Sequence, residues 1–70
     1  MLAEEIMINC KKLRIARIIK EFTQTQVAKA IGVTQSHYNK IEKGKRVGSI
    51  KTIQAICKVL NISISEILEP

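Results

Sequence analysis

Apolar residues recur at helical spacing along most of this chain, and the points where that spacing stops divide it into short helices. The division is sharpest between Thr23 and Gly44. Thr23 can cap a helix starting at Gln24, because its side-chain oxygen can accept from the orphan amides of the first turn. Val27, Ala28 and Ile31 then fall on one face. Gly32 follows the last of them, where a chain leaving a helix often needs a positive φ that glycine adopts at little cost. Val33 stands alone, and Thr34 behind it is a second N-cap, so the chain restarts as a helix within three residues. Two helices joined that tightly cross steeply. The small side chain of Ala28 lets the second helix approach, and Tyr38 and Ile41 supply its apolar face. Gln35, Ser36, Asn39 and Lys40 are left facing outward.

On either side the pattern predicts more helix. Leu2 to Glu21 reads as one long first helix, interrupted only weakly at Asn9, with Cys10, Leu13, Ala16, Arg17 and Lys20 on the face turned to the core. Ile8, Ile15 and Ile19 make a second stripe roughly opposite, to be covered either by the C-terminal helix or by a second copy of the chain. A fourth helix should run from an N-cap at Ser49 through Ile50, Ile53, Ile56, Cys57 and Leu60. Ser63 and Glu66 form a capping box for a short fifth helix, whose Ile67 and Leu68, with Ile62 and Ile64 beside them, close the bundle.

Composition narrows the class. Seventy residues, 46% hydrophobic with one proline, suit one compact all-α domain over residues 1–70 and leave little room for a catalytic cleft or a separate effector domain. The net charge of +6 is unevenly spread. From Lys11 to Lys51 there are eleven basic residues and two acidic ones, Glu21 and Glu42, a net of +9, while the other four acids sit near the termini. A positive middle between negative ends suits a polyanion such as nucleic acid; the plainer alternative is a solvated basic surface.

Several functions are argued against. No apolar run is long enough to span a bilayer, and Glu4 and Glu5 stand where a secretory signal would place lysines, so the expected location is the cytoplasm, at the nucleoid when bound to DNA. Cys10 and Cys57 sit far apart on apolar helix faces and are expected to be reduced, buried small hydrophobes. His37 is the single histidine and has neither cysteine near it in sequence, so neither a zinc site nor a nucleophile triad is indicated. With no phosphate-binding glycine loop and no paired acid and base, no cofactor, metal or enzymatic activity is expected.

Taken together, Arg17, Thr23-Gln24, Val27-Ala28, Ile31-Gly32-Val33-Thr34, Ile41-Glu42, Gly44 and the closing Leu60 to Leu68 segment resemble the helix-turn-helix regulators of the phage repressor and Cro type, the XRE-like family. The likeness covers about residues 9–68, with residues 1–8 as an N-terminal extension. It implies a lambda-repressor-like, all-α bundle of about five helices whose third helix enters the DNA major groove, usually as a homodimer on a two-fold operator. It also implies that Arg17 and Glu42 pair across the fold, a structural role first. Two departures from the family pattern stand out. Gly48 occupies a place where proline is common, and Tyr38 replaces an aliphatic residue, so its hydroxyl needs a partner or a phosphate.

In that geometry the first turn of the third helix lies closest to the base edges, which assigns base readout to Gln35 and Ser36. Glutamine can bond adenine through both amide groups, and serine can donate or accept to several bases. Lys40 can reach a guanine or a phosphate, and Asn39 can pair with adenine if the helix rotates slightly. Phosphate contacts are expected from Gln24, Thr34, Tyr38, Lys43, Lys45 and Arg46, each loop cation adding roughly one unit to the salt slope. The leading expectation is a sequence-specific double-stranded DNA-binding regulator, most simply a repressor, needing no small-molecule ligand. Phage-type repressors, restriction-modification controllers and antitoxins all have this size. The alternative is a protein-interaction module, such as an antitoxin whose main partner is a toxin.

Overall fold

The computed structural model describes residues 8–46 and 48–68. Within them lie four α-helices, α1 (Cys10–Ile19), α2 (Gln24–Ile31), α3 (Gln35–Glu42) and α4 (Ile50–Leu60), followed by one 3-10 turn at Ile64–Glu66.

Local chemistry accounts for the boundaries. Thr23 and Gln26 form a reciprocal capping box at the start of α2: the Thr23 hydroxyl accepts from the Gln26 amide at 3.0 Å, and the Gln26 side chain accepts from the Thr23 amide at 2.8 Å. Gly32 ends α2 at φ +79°, and the Val33 amide then donates back to the Ala28 carbonyl, a Schellman-type closure that reverses the chain in one residue. The Thr34 hydroxyl accepts from His37 N at 3.1 Å and starts α3. Ser49 does the same for α4 by accepting from Thr52 N.

Two expected boundaries are corrected. The first helix does not run from Leu2 as one element through Asn9. Asn9 is its N-cap, with Oδ1 accepting from Lys12 N at 3.1 Å, and helix begins only at Cys10. Ile8 instead pairs with Leu68 in an antiparallel bridge, and Asn9 N donates to Ile67 O at 2.7 Å. The expected helix over residues 2–7 lies outside the described residues. The predicted fifth helix is reduced to the 3-10 turn. Its capping box is present, but the chain leaves helical geometry at Ile67 to reach the bridge. The bundle therefore has four α-helices among the described residues, not five.

The core is drawn from every element: Leu13 of α1, Val27 and Ala28 of α2, Tyr38 and Ile41 of α3, Ile53, Ile56, Cys57 and Leu60 of α4, and Ile67. Burial of the Cys57 thiol, with Glu66 nearby, raises its pKa, as suits a small hydrophobe. Cys10 is only half-buried and donates through Sγ to Ile41 O at 3.4 Å. Gly48, the residue in the place of the usual proline, is packed so closely on α4 that a Cβ there would meet Ile53 Cδ1 at 2.8 Å. Of the predicted core face of α1, Leu13 is fully buried and Cys10, Ala16 and Arg17 are half-buried, but Lys20 points to solvent. The second isoleucine stripe is rearranged. Ile8 packs on the core, while Ile15, Ile18 and Ile19 keep 49%, 52% and 69% of their surface exposed.

Candidate nucleic-acid interface

The tight turn fixes α3 across α2 with Tyr38 and Ile41 in the core and Glu42 buried against α1, and the other side chains of α3 lie outward or along its borders. Gln35, Ser36 and Lys40 are exposed, with Gln35 and Ser36 in the first turn. Thr34 is exposed too, though its hydroxyl already caps the helix. Lys43, Lys45 and Arg46 follow the helix as an exposed cationic loop.

Asn39 and Gln24 are placed differently from a free DNA-facing row. Asn39 is half-buried and donates from Nδ2 to Gln24 Oε1 at 3.0 Å, and Gln24 in turn donates from Nε2 to Glu42 Oε1 at 3.2 Å. The Gln24 side chain is thus engaged inside the fold at both ends. What it offers outward is its position in the first turn of α2, where the backbone amides lie outside the intrahelical ladder. Tyr38 is a correction. It has no exposed surface and presents nothing to a phosphate; its place is the core. Its hydroxyl has no partner in hydrogen-bond geometry among the described residues, although it lies close enough to Glu42 and Arg17 to feel their charges. Burial foremost raises its pKa, so it stays protonated.

The network ends in the ion pair. Arg17 grips Glu42 with both arms of the guanidinium, Nε to Oε2 and Nη2 to Oε1, each at 2.9 Å, and its Nη1 donates to Phe22 O at 2.8 Å. The two side chains are 12% and 2% exposed. Burial works against charge on Glu42, yet the hydrogen bonds from Arg17 foremost and from Gln24, with the Tyr38 hydroxyl lying close, hold its carboxyl below the usual value. Arg17 and Glu42 therefore lock α1 to α3, and Gln24 ties the start of α2 to the same point.

Two cations that the sequence did not single out stand near this network. Lys11 and Arg14 of α1 line a cleft of about 540 Å3 together with Arg17, Gln24, Glu42 and Lys43. Their spacing, three residues apart and three before Arg17, was the available signal.

Comparison with known proteins bears on what this arrangement is. The family model described as helix-turn-helix matches residues 13–67. The chain belongs to the helix-turn-helix family. Similar to this helix-turn-helix chain is the protein named "Uncharacterized HTH-type transcriptional regulator YazB" of Bacillus subtilis, 40% identical over 60 residues, which are 86% of this chain and 87% of that one. The "ImmF control region 10 kDa protein" of Bacillus phage phi105 is 32% identical, over 84% of this chain and 70% of its own. The "Cryptic phage CTXphi transcriptional repressor RstR" of Vibrio cholerae is 30% identical over 81% of this chain, which spans only 51% of that repressor. Among solved structures, the restriction-modification controller protein C.AhdI from Aeromonas hydrophila superposes with a TM-score of 0.77 at 28% identity, over 81% of this chain and 86% of that one. Among the described residues, no helix is long and apolar enough to cross a membrane, and no group of three or more His, Cys, Asp or Glu could hold a metal ion.

Proposed function

We propose that this helix-turn-helix protein is a sequence-specific, double-stranded DNA-binding transcriptional regulator, most simply a repressor, that reads an operator as a homodimer. The observation that carries the proposal is the outward face of α3. Gln35 and Ser36 stand exposed on a first turn held rigid by the Thr34 cap and a buried underside, with Lys40 one turn beyond. A helix presented in this way fits the major groove, which is wide enough to admit it and displays a distinct donor and acceptor pattern for each base pair.

In this proposal Gln35 and Ser36 carry base readout and Lys40 contacts guanine or phosphate. Asn39 acts mainly by positioning Gln24. Thr34, Lys43, Lys45, Arg46 and the first turn of α2 at Gln24 meet the backbone, setting register and affinity without reading sequence. The names of the relatives, a transcriptional regulator, a phage repressor and a restriction-modification controller, support the same reading.

The test is selection of bound duplexes from a random pool by the parent and by the Gln35→Ala, Ser36→Ala variant. A two-fold consensus recovered by the parent and lost or relaxed in the variant is the expected result. Discrimination at each affected base falls by about 1–3 kcal/mol. Recovery of no consensus by the parent overturns the proposal.

A further inference from the structure

We propose that the cleft between α1 and the end of α3 is a seat for a backbone phosphate of the bound DNA, with Lys11, Arg14 and Lys43 as its cations. The inference rests on the DNA-reading proposal above and extends the contact surface to a helix outside the helix-turn-helix.

The charge inventory of the cleft is the first argument. Its walls carry four cations, Lys11, Arg14, Arg17 and Lys43, and one acid, Glu42. Arg17 and Glu42 satisfy one another in a two-pronged pair, and the remaining Arg17 contact goes to the Phe22 carbonyl. That pair is the one ion pair among the described residues, and it removes both groups from the cleft's net charge. Lys11, Arg14 and Lys43 are exposed and give the cleft a net positive charge directed at whatever enters.

Position is the second argument. Ser36, Lys40 and Lys43 recur at four- and three-residue intervals and lie along one side of α3 and its cap. Ser36 and Lys43 are separated by roughly 10 Å along the helix axis at 1.5 Å per residue. The major groove is about 12 Å wide. With Ser36 at the base edges, Lys43 and the cleft beside it fall at the groove wall, where the phosphates are. Gln24, the first residue of α2, lines the same cleft.

A salt titration tests the assignment. Operator affinity is measured from about 50 to 200 mM salt for the parent and for the Lys11→Gln, Arg14→Gln variant. A Lys29→Gln, Lys58→Gln variant supplies a control with the same charge change, because both of these lysines are exposed and line neither this cleft nor the isoleucine face of α1. The cleft variant is expected to lose about one to two units of the slope of log affinity against log salt. Its selected consensus should stay unchanged, and the control should keep the parent slope. A parent that selects a site while the cleft variant keeps its slope, or loses no more than the control, overturns the phosphate seat alone. A parent that selects no site and shows no salt dependence overturns the DNA reading, and the seat with it.

Discussion

Replacing Arg17 by Met should cost this domain about 3–5 kcal/mol, the usual result of stranding one member of a buried pair. Glu42 would be left 2% exposed, with the Gln24 amide in place of three charged or polar donors, and the neutral Tyr38 hydroxyl close by can replace at most one of the two charged 2.9 Å bonds it loses. A domain of this size is typically stable by roughly 4–10 kcal/mol, so the variant should sit at the edge of unfolding. Glu42→Leu should fall at the lower end of the same range. The Arg17 side chain, 12% exposed and still bonded to Phe22 O, can turn its guanidinium toward water. The double variant Arg17→Met, Glu42→Leu should return to within about 1 kcal/mol of the parent, since two apolar side chains replace both desolvated charges. Urea unfolding followed by far-ultraviolet circular dichroism gives all three values, provided the slopes with denaturant agree. A cost below about 1 kcal/mol for Arg17→Met would mean that the pair behaves as a solvent-screened surface contact, and the reasoning would fail. A double variant as unstable as the sum of the singles would refute it as well.

The depressed pKa of Glu42 carries a pH signature. Below about pH 4.5 the unfolded chain binds a proton that the folded chain does not, so this group's contribution, complete at neutral pH, is lost as pH falls through that range. Urea midpoints measured from pH 7 to about 3 should fall less steeply for Glu42→Gln than for the parent; parallel curves would refute the assignment. Separately, Ile15, Ile18 and Ile19 form an exposed apolar face bordered by Lys12, Lys20 and Glu66, whose opposite charges are compatible with a self-complementary two-fold contact. If the homodimer closes there, Ile15→Glu sediments as a monomer at concentrations where the parent is a dimer; an unchanged dimer places the contact elsewhere.

The turn between α2 and α3 was legible because each of its determinants is local. Thr23 and Thr34 accept from amides three residues on and Gly32 supplies the positive φ at its own position, so their spacing alone specifies where one helix stops and the next starts. Asn9 was misread because a short apolar run such as Ile6, Met7 and Ile8 fits helix or extended chain equally well. The deciding partner, Leu68, lies at the other end of the sequence. The capping box at Ser63 and Glu66 was read correctly, but a cap sets where a turn begins and not how long it continues. Gln24 was assigned to phosphate from its place at the start of a helix, which is local; that its side chain is also held by Asn39 and Glu42, 15 and 18 residues away, was not legible. Tyr38 was open between core and phosphate until the packing of α3 on α2 closed off its surface. Lys11 and Arg14 escaped notice for a related reason: their cleft exists only once α1 lies against the end of α3.

The bond from Asn39 to Gln24 also bears on how such a protein can acquire a new target. Gln35, Ser36 and Lys40 are exposed and make no side-chain hydrogen bond among the described residues, so if they read the operator as proposed, exchanges there should alter what is read at little cost to folding. Position 39 borders the proposed reading surface and belongs to the strut that joins α2 to Glu42. A change there must be compatible with both, so retargeting by mutation should proceed through 35, 36 and 40 while 39 stays fixed.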